Sequence, residues 1–151
     1  MATGIDILVQ PDSEGVFDIS LENGDLVGDD GLDTSLYLSL LTDARADSSQ
    51  VALPEKRRGW VGDVVSPVEN RSLGGLLWLV EQRRLTQGNL NTAVDLAQKS
   101  LQWMVEDEIL QDVSVSGEIE VGLGISLTII TTYLDGKTES HYVKLWENTG
   151  A

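Results

Sequence analysis

If this chain did chemistry, carboxylates would have to do it. It has no cysteine and one histidine, His141, against 25 aspartates and glutamates. Glycoside hydrolysis needs only two acids at a suitable separation, and a chain this acidic supplies pairs by number alone. Glu69 beside Arg71 can be nominated, as can Glu106 with Asp107 and Glu108 at the expected end of a helix; nothing in the spacing selects between them. A serine triad would require His141, which stands on an expected strand with no nucleophile-elbow motif around any serine, so a partly exposed strand residue is the plainer reading. Gly122-Leu123-Gly124 lacks the third glycine of a phosphate-binding turn. The aspartates of Gly28–Asp33 resemble a calcium loop, but the closing glutamate of the EF-hand template falls on Leu40 when counted from Asp29. A turn feeding a helix cap explains that stretch better.

The same composition excludes other functions. Disulfides and thiolate metal sites need cysteine, and a multi-histidine site needs more than His141, so no metal and no cofactor is expected. A net charge of -15, from 25 acidic and 10 basic residues, argues against nucleic acid and against an anionic membrane as direct partners. The N-terminus lacks the basic start and apolar stretch of a signal peptide. The longest apolar run, near Leu76–Val80, is too short to span a bilayer, so a soluble product of the cytoplasm is expected.

Binding residues are easier to find. Trp60 lies in an irregular stretch behind Lys56-Arg57-Arg58, and aromatics with arginines are enriched where partners dock. A loop folding its tryptophan onto its own domain is the competing reading. Trp78 and Trp103 sit on or beside helical stripes, where core packing is the default. The C-terminal stretch Thr138–Trp146, with Tyr142, Lys144 and Trp146, reads as a candidate edge strand for a strand from another chain, and guarding of that edge against pairing by its lysine and glutamate is an equal reading.

The elements that would position these residues follow from periodicity. Ile5, Ile7 and Val9 alternate before Pro11, and Val16–Leu21 alternates before the Asn23-Gly24 signal of a tight hairpin. Asp33–Thr42 fits helix and strand spacing alike; Asp33 as N-cap tips it towards helix. Thr42–Pro67 has little periodicity, and loops of that length are usually functional or ordered by a partner. Leu73–Arg84 is expected to be helical behind Ser72, and Asn89–Leu110 more clearly so, with Leu90, Val94, Ala97, Leu101, Met104 or Val105, and Ile109 on its stripe. Three strands follow over Asp112–Val121, Leu123–Leu134 and Thr138–Trp146, the last two joined at Asp135-Gly136. The sum is a single α+β domain over residues 1–151, an N-terminal hairpin and a C-terminal meander packed on two or three helices.

The order of landmarks carries a resemblance. Asn23-Gly24-Asp25-Leu26, Leu38–Ala46, Arg58-Gly59-Trp60-Val61-Gly62-Asp63, Leu73-Gly74-Gly75-Leu76-Leu77-Trp78-Leu79 and the helix ending Leu101-Gln102-Trp103-Met104 together resemble the small baseplate protein of Mu-like contractile phages. That family is related to the sheath-initiating wedge protein of T-even phages and contractile injection systems. The similarity spans about residues 16–130. Val61 stands where relatives have a second aromatic, Gly75-Leu76 where they have Ser-Arg or Ser-Lys, and Glu69-Asn70-Arg71 where sheath initiators have Glu-Pro-Arg. The resemblance implies a non-enzymatic virion part of the inner baseplate wedge. It implies contacts to larger wedge subunits and to the tail sheath protein, with tube and spike or hub proteins as further neighbours. Lys56, Arg57, Arg58, Trp60, Asp63, Glu69, Arg71, Tyr142, Lys144 and Trp146 are the partner-binding candidates. The alternative is a peptidoglycan-cleaving tail enzyme using paired carboxylates.

Overall fold

The computed structural model describes residues 6–29, 31–51, 57–81, 83–122 and 124–146. It is a single small α+β domain of two α-helices and antiparallel strands. Lys56 and the side chain of Trp146 lie outside the described parts.

The N-terminal strands form a three-way junction. β1 (Asp6–Ile7) pairs with β6 (Gly28–Asp29), β2 (Val9–Pro11) with β3 (Phe17–Ile19), and β4 (Leu21–Glu22) with β5 (Asp25–Leu26). Val27 joins the pairs: its amide donates to Ser20 O and its carbonyl accepts from Leu8 N. The tight hairpin falls where expected, with Asn23 at φ 53° and Gly24 at φ 83°, the left-handed pair that a two-residue turn requires.

Helix α1 (Asp33–Leu41) resolves the ambiguous segment as helix. Asp33 is not its cap. The cap position is Leu32, and Asp29 receives the free amides of Gly31 and Thr34 on its two carboxylate oxygens, each at 2.9 Å. Asp33, one residue inside, is thereby released to face His141.

Helix α2 (Gln87–Glu106) begins two residues earlier than expected because Thr86 accepts from Asn89 N. It ends earlier too: Glu108 turns left-handed at φ 57° and Ile109 N bonds back to Met104 O, so Ile109 leaves the helical stripe. Leu90, Ala93, Ala97, Leu101 and Met104 form the buried face. That face lies on the meander β7 (Leu110–Glu120), β8 (Gly124–Tyr133) and β9 (Thr138–Trp146), whose strand order is β7-β8-β9. Leu127, Ile129 and Val143 complete the core from the sheet, Leu36 and Leu40 from α1. A Cβ on Gly117 of β7 would lie 2.9 Å from both Leu90 and Leu127, so glycine is what lets the helix approach this closely.

The expected helix over Leu73–Arg84 does not form. Only Leu77–Leu79 makes a short 3-10 turn. Gly74 is left-handed at φ 94°, and its hypothetical Cβ would stand 2.1 Å from Thr42 O. Gly75 bridges in parallel to Asp43 and passes equally close to Ser100. The two glycines serve a close backbone passage between α1 and α2, and apolar spacing alone does not reveal that.

Candidate functional surfaces

The loop from Arg57 to Glu81 is fastened by two similar clamps, one reaching the chain just after α1 and one the end of α2. The Arg58 guanidinium lies 4.7 Å from the Trp78 ring centroid and bonds Asp43 at 2.9 Å and Glu81 at 3.2 Å. The Arg71 guanidinium lies 5.8 Å from the Trp103 ring and bonds both oxygens of Asp107, at 2.7 and 2.8 Å. Each couples a planar cation to an aromatic face and a carboxylate, the geometry guanidinium suits best. The indoles are anchored in turn: Trp78 Nε1 donates to Ala44 O, and Trp103 Nε1 to Ser39 Oγ. Arg57 pins Ala46 through its backbone carbonyl and its Nε. Asp63 closes the loop by accepting from Leu73 N at 2.9 Å, while Glu69 is exposed.

Between the clamps the loop presents apolar surface. Trp60 is 50% exposed, and Val61, Val64 and Val65 are 80% or more exposed. The indole of Trp60 folds over Gly62, where any Cβ would collide with the ring. Both readings of Trp60 therefore hold in part: it rests on its own loop and still shows half its surface. A groove of about 640 Å³ opens beside it, lined by Trp60, Asp63, Arg71, Lys99, Trp103 and Glu106 among others.

The nominated acid pairs are placed as follows. Glu106 lines the groove, and Arg71, by hydrogen bond and charge, draws the Asp107 carboxyl below its ordinary range. A general acid needs the opposite shift.

His141 departs from expectation: it is buried, with only 7% exposure. Its Nδ1 lies 3.0 Å from Asp33 Oδ1 and its Nε2 3.3 Å from Thr131 Oγ1, partners that offset the desolvation of a buried imidazole. Glu139 approaches to 4.0 Å and takes the Tyr133 hydroxyl. Asp33, Glu139 and His141 thus converge, with ligand atoms within 4.8 Å of one another. Burial raises the Asp33 carboxyl, and His141 opposes the rise. The cluster ties the start of α1 to β9. Nothing but the lone histidine signalled it in the sequence.

The two outer edges of the meander differ. On β7, Gln98 of α2 donates to Val113 O at 2.7 Å and accepts from Val115 N at 3.0 Å, standing in for a neighbouring strand. On β9, no strand pairs with the outer side among the described residues. Tyr142, exposed on β9, donates to Glu120 at 2.6 Å across the sheet. This bond, Ser126 and nearby Lys144 lower the Glu120 carboxyl. Sequence reasoning found the β9 edge and missed the Gln98 clasp and the valine-rich tip.

Fold and surface define a small α+β domain that exposes, among other features, the β9 sheet edge and the apolar Trp60–Val65 loop. The family model for phage protein GP46 matches residues 32–138. The baseplate protein gp46 of Escherichia phage Mu is 36% identical over 95 residues, spanning 61% of this chain and 63% of that protein. The Mu-like prophage FluMu protein gp46 of Haemophilus influenzae is 30% identical over 125 residues, 83% of this chain and 85% of that protein. The chain belongs to the phage GP46 family. No helix among the described residues is long and apolar enough to cross a membrane.

Proposed function

We propose that this protein is a non-enzymatic structural component of a contractile phage baseplate, placed in the inner wedge. It joins larger wedge subunits to the first sheath ring by accepting a sheath strand on β9. The Mu relative's description as a baseplate protein supports the general role. The observation that carries the mechanism is the asymmetry of the meander: Gln98 caps the β7 edge at Val113 and Val115, whereas no strand pairs with the outer side of β9 among the described residues. Strand addition gains affinity from main-chain hydrogen bonds, and side chains such as Tyr142 and Lys144 supply selectivity. The wedge contact falls to the clamped loop with Arg57, Arg58, Trp60, Asp63, Glu69 and Arg71.

Amide hydrogen exchange tests this with purified sheath protein added to the intact chain. The reading expects outward amides of residues 138–146 to slow sharply while those of β7 stay unchanged. Sheath binding that leaves residues 138–146 exchanging as in the free protein refutes strand addition there.

A further inference from the structure

One histidine cannot build a multi-histidine metal site, but it can complete one whose other ligands are carboxylates. Folding assembles such a set from residues far apart in the sequence. Glu139 and His141 stand two residues apart on β9 and so share one face of the strand. Thr131 and Tyr133 of β8 lie on that face too, Thr131 paired in register with Glu139. Helix α1 brings Asp33 against them, its start fixed by the amides of Gly31 and Thr34 on Asp29. One ligand atom each from Asp33, Glu139 and His141 then lies within 4.8 Å of the other two.

The spacing suits a shared cation. His141 Nδ1 is 3.0 Å from Asp33 Oδ1. An imidazole lone pair and a carboxylate that close need a proton or a cation between them. Ligands about 2.1 Å from one ion, at right-angled to tetrahedral spacing, stand about 3.0–3.4 Å apart. His141 Nε2 lies 3.3 Å from Thr131 Oγ1, which donates to Glu139 O at 3.5 Å. Thr131 can therefore accept the Nε2 proton while an ion takes the place of the Nδ1 proton. Tyr133 donates to Glu139 Oε2 at 2.8 Å. Outer hydrogen bonds of this kind orient ligating histidines and carboxylates. The imidazole is buried, whereas the Asp33 and Glu139 side chains are 40% and 55% exposed, which gives an ion a way in. Negative charge gathers here as well. Burial, the hydrogen bond to Glu139 and then the charges of Glu139, Asp33 and Asp29 all raise the Tyr133 hydroxyl.

We infer that Asp33, Glu139 and His141 form a binding site for one divalent transition-metal ion of the zinc type. A nitrogen ligand favours such an ion over calcium or magnesium, which take oxygen ligands. The exposed Glu139 side chain swings in to close the protein's part of the shell, and water completes it. Because the ligands come from α1 and β9, the bound ion fastens the start of the helix to the outer strand of the meander.

The chain has one histidine, so imidazole nitrogen NMR signals of the untagged protein report this site alone. Zinc titrated in at neutral pH should give one saturable binding event by calorimetry. The imidazole signals should shift and saturate at the same ratio, and calcium at equal concentration should not move them. Asp33→Asn and Glu139→Gln each remove a charged ligand from a partly exposed position and should each weaken zinc binding at least tenfold. Asp95→Asn, on the exposed side of α2, should leave it unchanged. Zinc should also slow amide exchange at the start of α1 and along β9. Circular dichroism of each variant checks that the fold is intact. Absence of a saturable event, zinc uptake that leaves the imidazole unmoved, an equal response to calcium, or unchanged affinity in Asp33→Asn or Glu139→Gln overturns the inference.

Discussion

Helix α2 and the 57–81 loop both lie against the same interior, yet different forces keep them there. The helix presents Leu90, Ala93, Ala97, Leu101 and Met104 in one continuous seam to the meander, and each is 5% exposed or less. The loop buries little beyond Leu77 and Val80 and relies on two arginine clamps, the Asp63 cap on Leu73 and glycine passages. Apolar burial is non-directional and cooperative, so the body resists change as a unit. Exposed ion pairs are individually weak, so the loop can reset its conformation against a partner at small cost. The body fixes the fold, and the loop is held by weaker, separable contacts.

Two substitutions separate these regimes. Leu101→Ala empties a fully buried site in the seam and should destabilise the whole domain by about 2–5 kcal/mol in urea unfolding. A loss confined to the loop would show that the seam is not the cooperative unit. Gly74→Ala forces a Cβ towards Thr42 O at a left-handed backbone, a strain of about 1–3 kcal/mol. Its effect should be local: the indole of Trp78 leaves Ala44 O and its fluorescence shifts to the red, while α2 amides keep their protection. Global unfolding on a par with Leu101→Ala would erase the distinction between the two regions.

That contrast explains what the sequence could disclose. Elements held by periodic apolar burial were legible: the Leu90–Met104 face, the alternation of Ile125, Leu127 and Ile129, and the Asn23-Gly24 turn each carry a local signature. The segment 73–84 was misread as helix because Leu73, Leu76, Leu77 and Val80 have helical spacing, while the space Gly74 and Gly75 must clear is a tertiary fact. His141 was misread because its burial depends on Asp33 and Thr131, each distant in sequence or on another strand. For the candidate partner-binding residues, type and loop position were visible from Arg58, Trp60 and Arg71. Their engagement with Asp43, Glu81 and Asp107 was not, since ion-pair partners at such separations leave no pattern.

A smaller effect sharpens the comparison at the sheet edge. Gln98→Leu removes the side chain that satisfies Val113 O and Val115 N. Water can reach part of the vacated edge, so the expected loss is about 1 kcal/mol. The more telling change is at β7 itself, where amide exchange near Val115 should speed up and self-association through the newly open edge should appear in sedimentation. If Gln98→Leu stays monomeric with unchanged exchange at Val115, the clasp does not distinguish β7 from β9.

The smallest expected effect concerns the loop alone. Arg71 holds Asp107 through two hydrogen bonds and then through charge, which places the folded carboxyl below its ordinary value of 3.8. A carboxyl with a lowered folded pKa contributes stability that is present above its unfolded pKa and is lost as pH falls through the folded one. The clamp should therefore hold at neutral pH and release in acid below 3.8, freeing the Arg71 guanidinium from Trp103. Trp103 fluorescence and amide exchange at residues 63–73 should change over that window. Asp107→Asn should show the open-loop signals already at neutral pH, lack this acid step, and leave the urea midpoint nearly unchanged. The Arg58 clamp to Asp43 and Glu81 fastens the same loop, so the difference between wild type and Asp107→Asn is the quantity that decides. An acid step of equal size in both would show that the Arg71–Asp107 clamp does not control the loop's release.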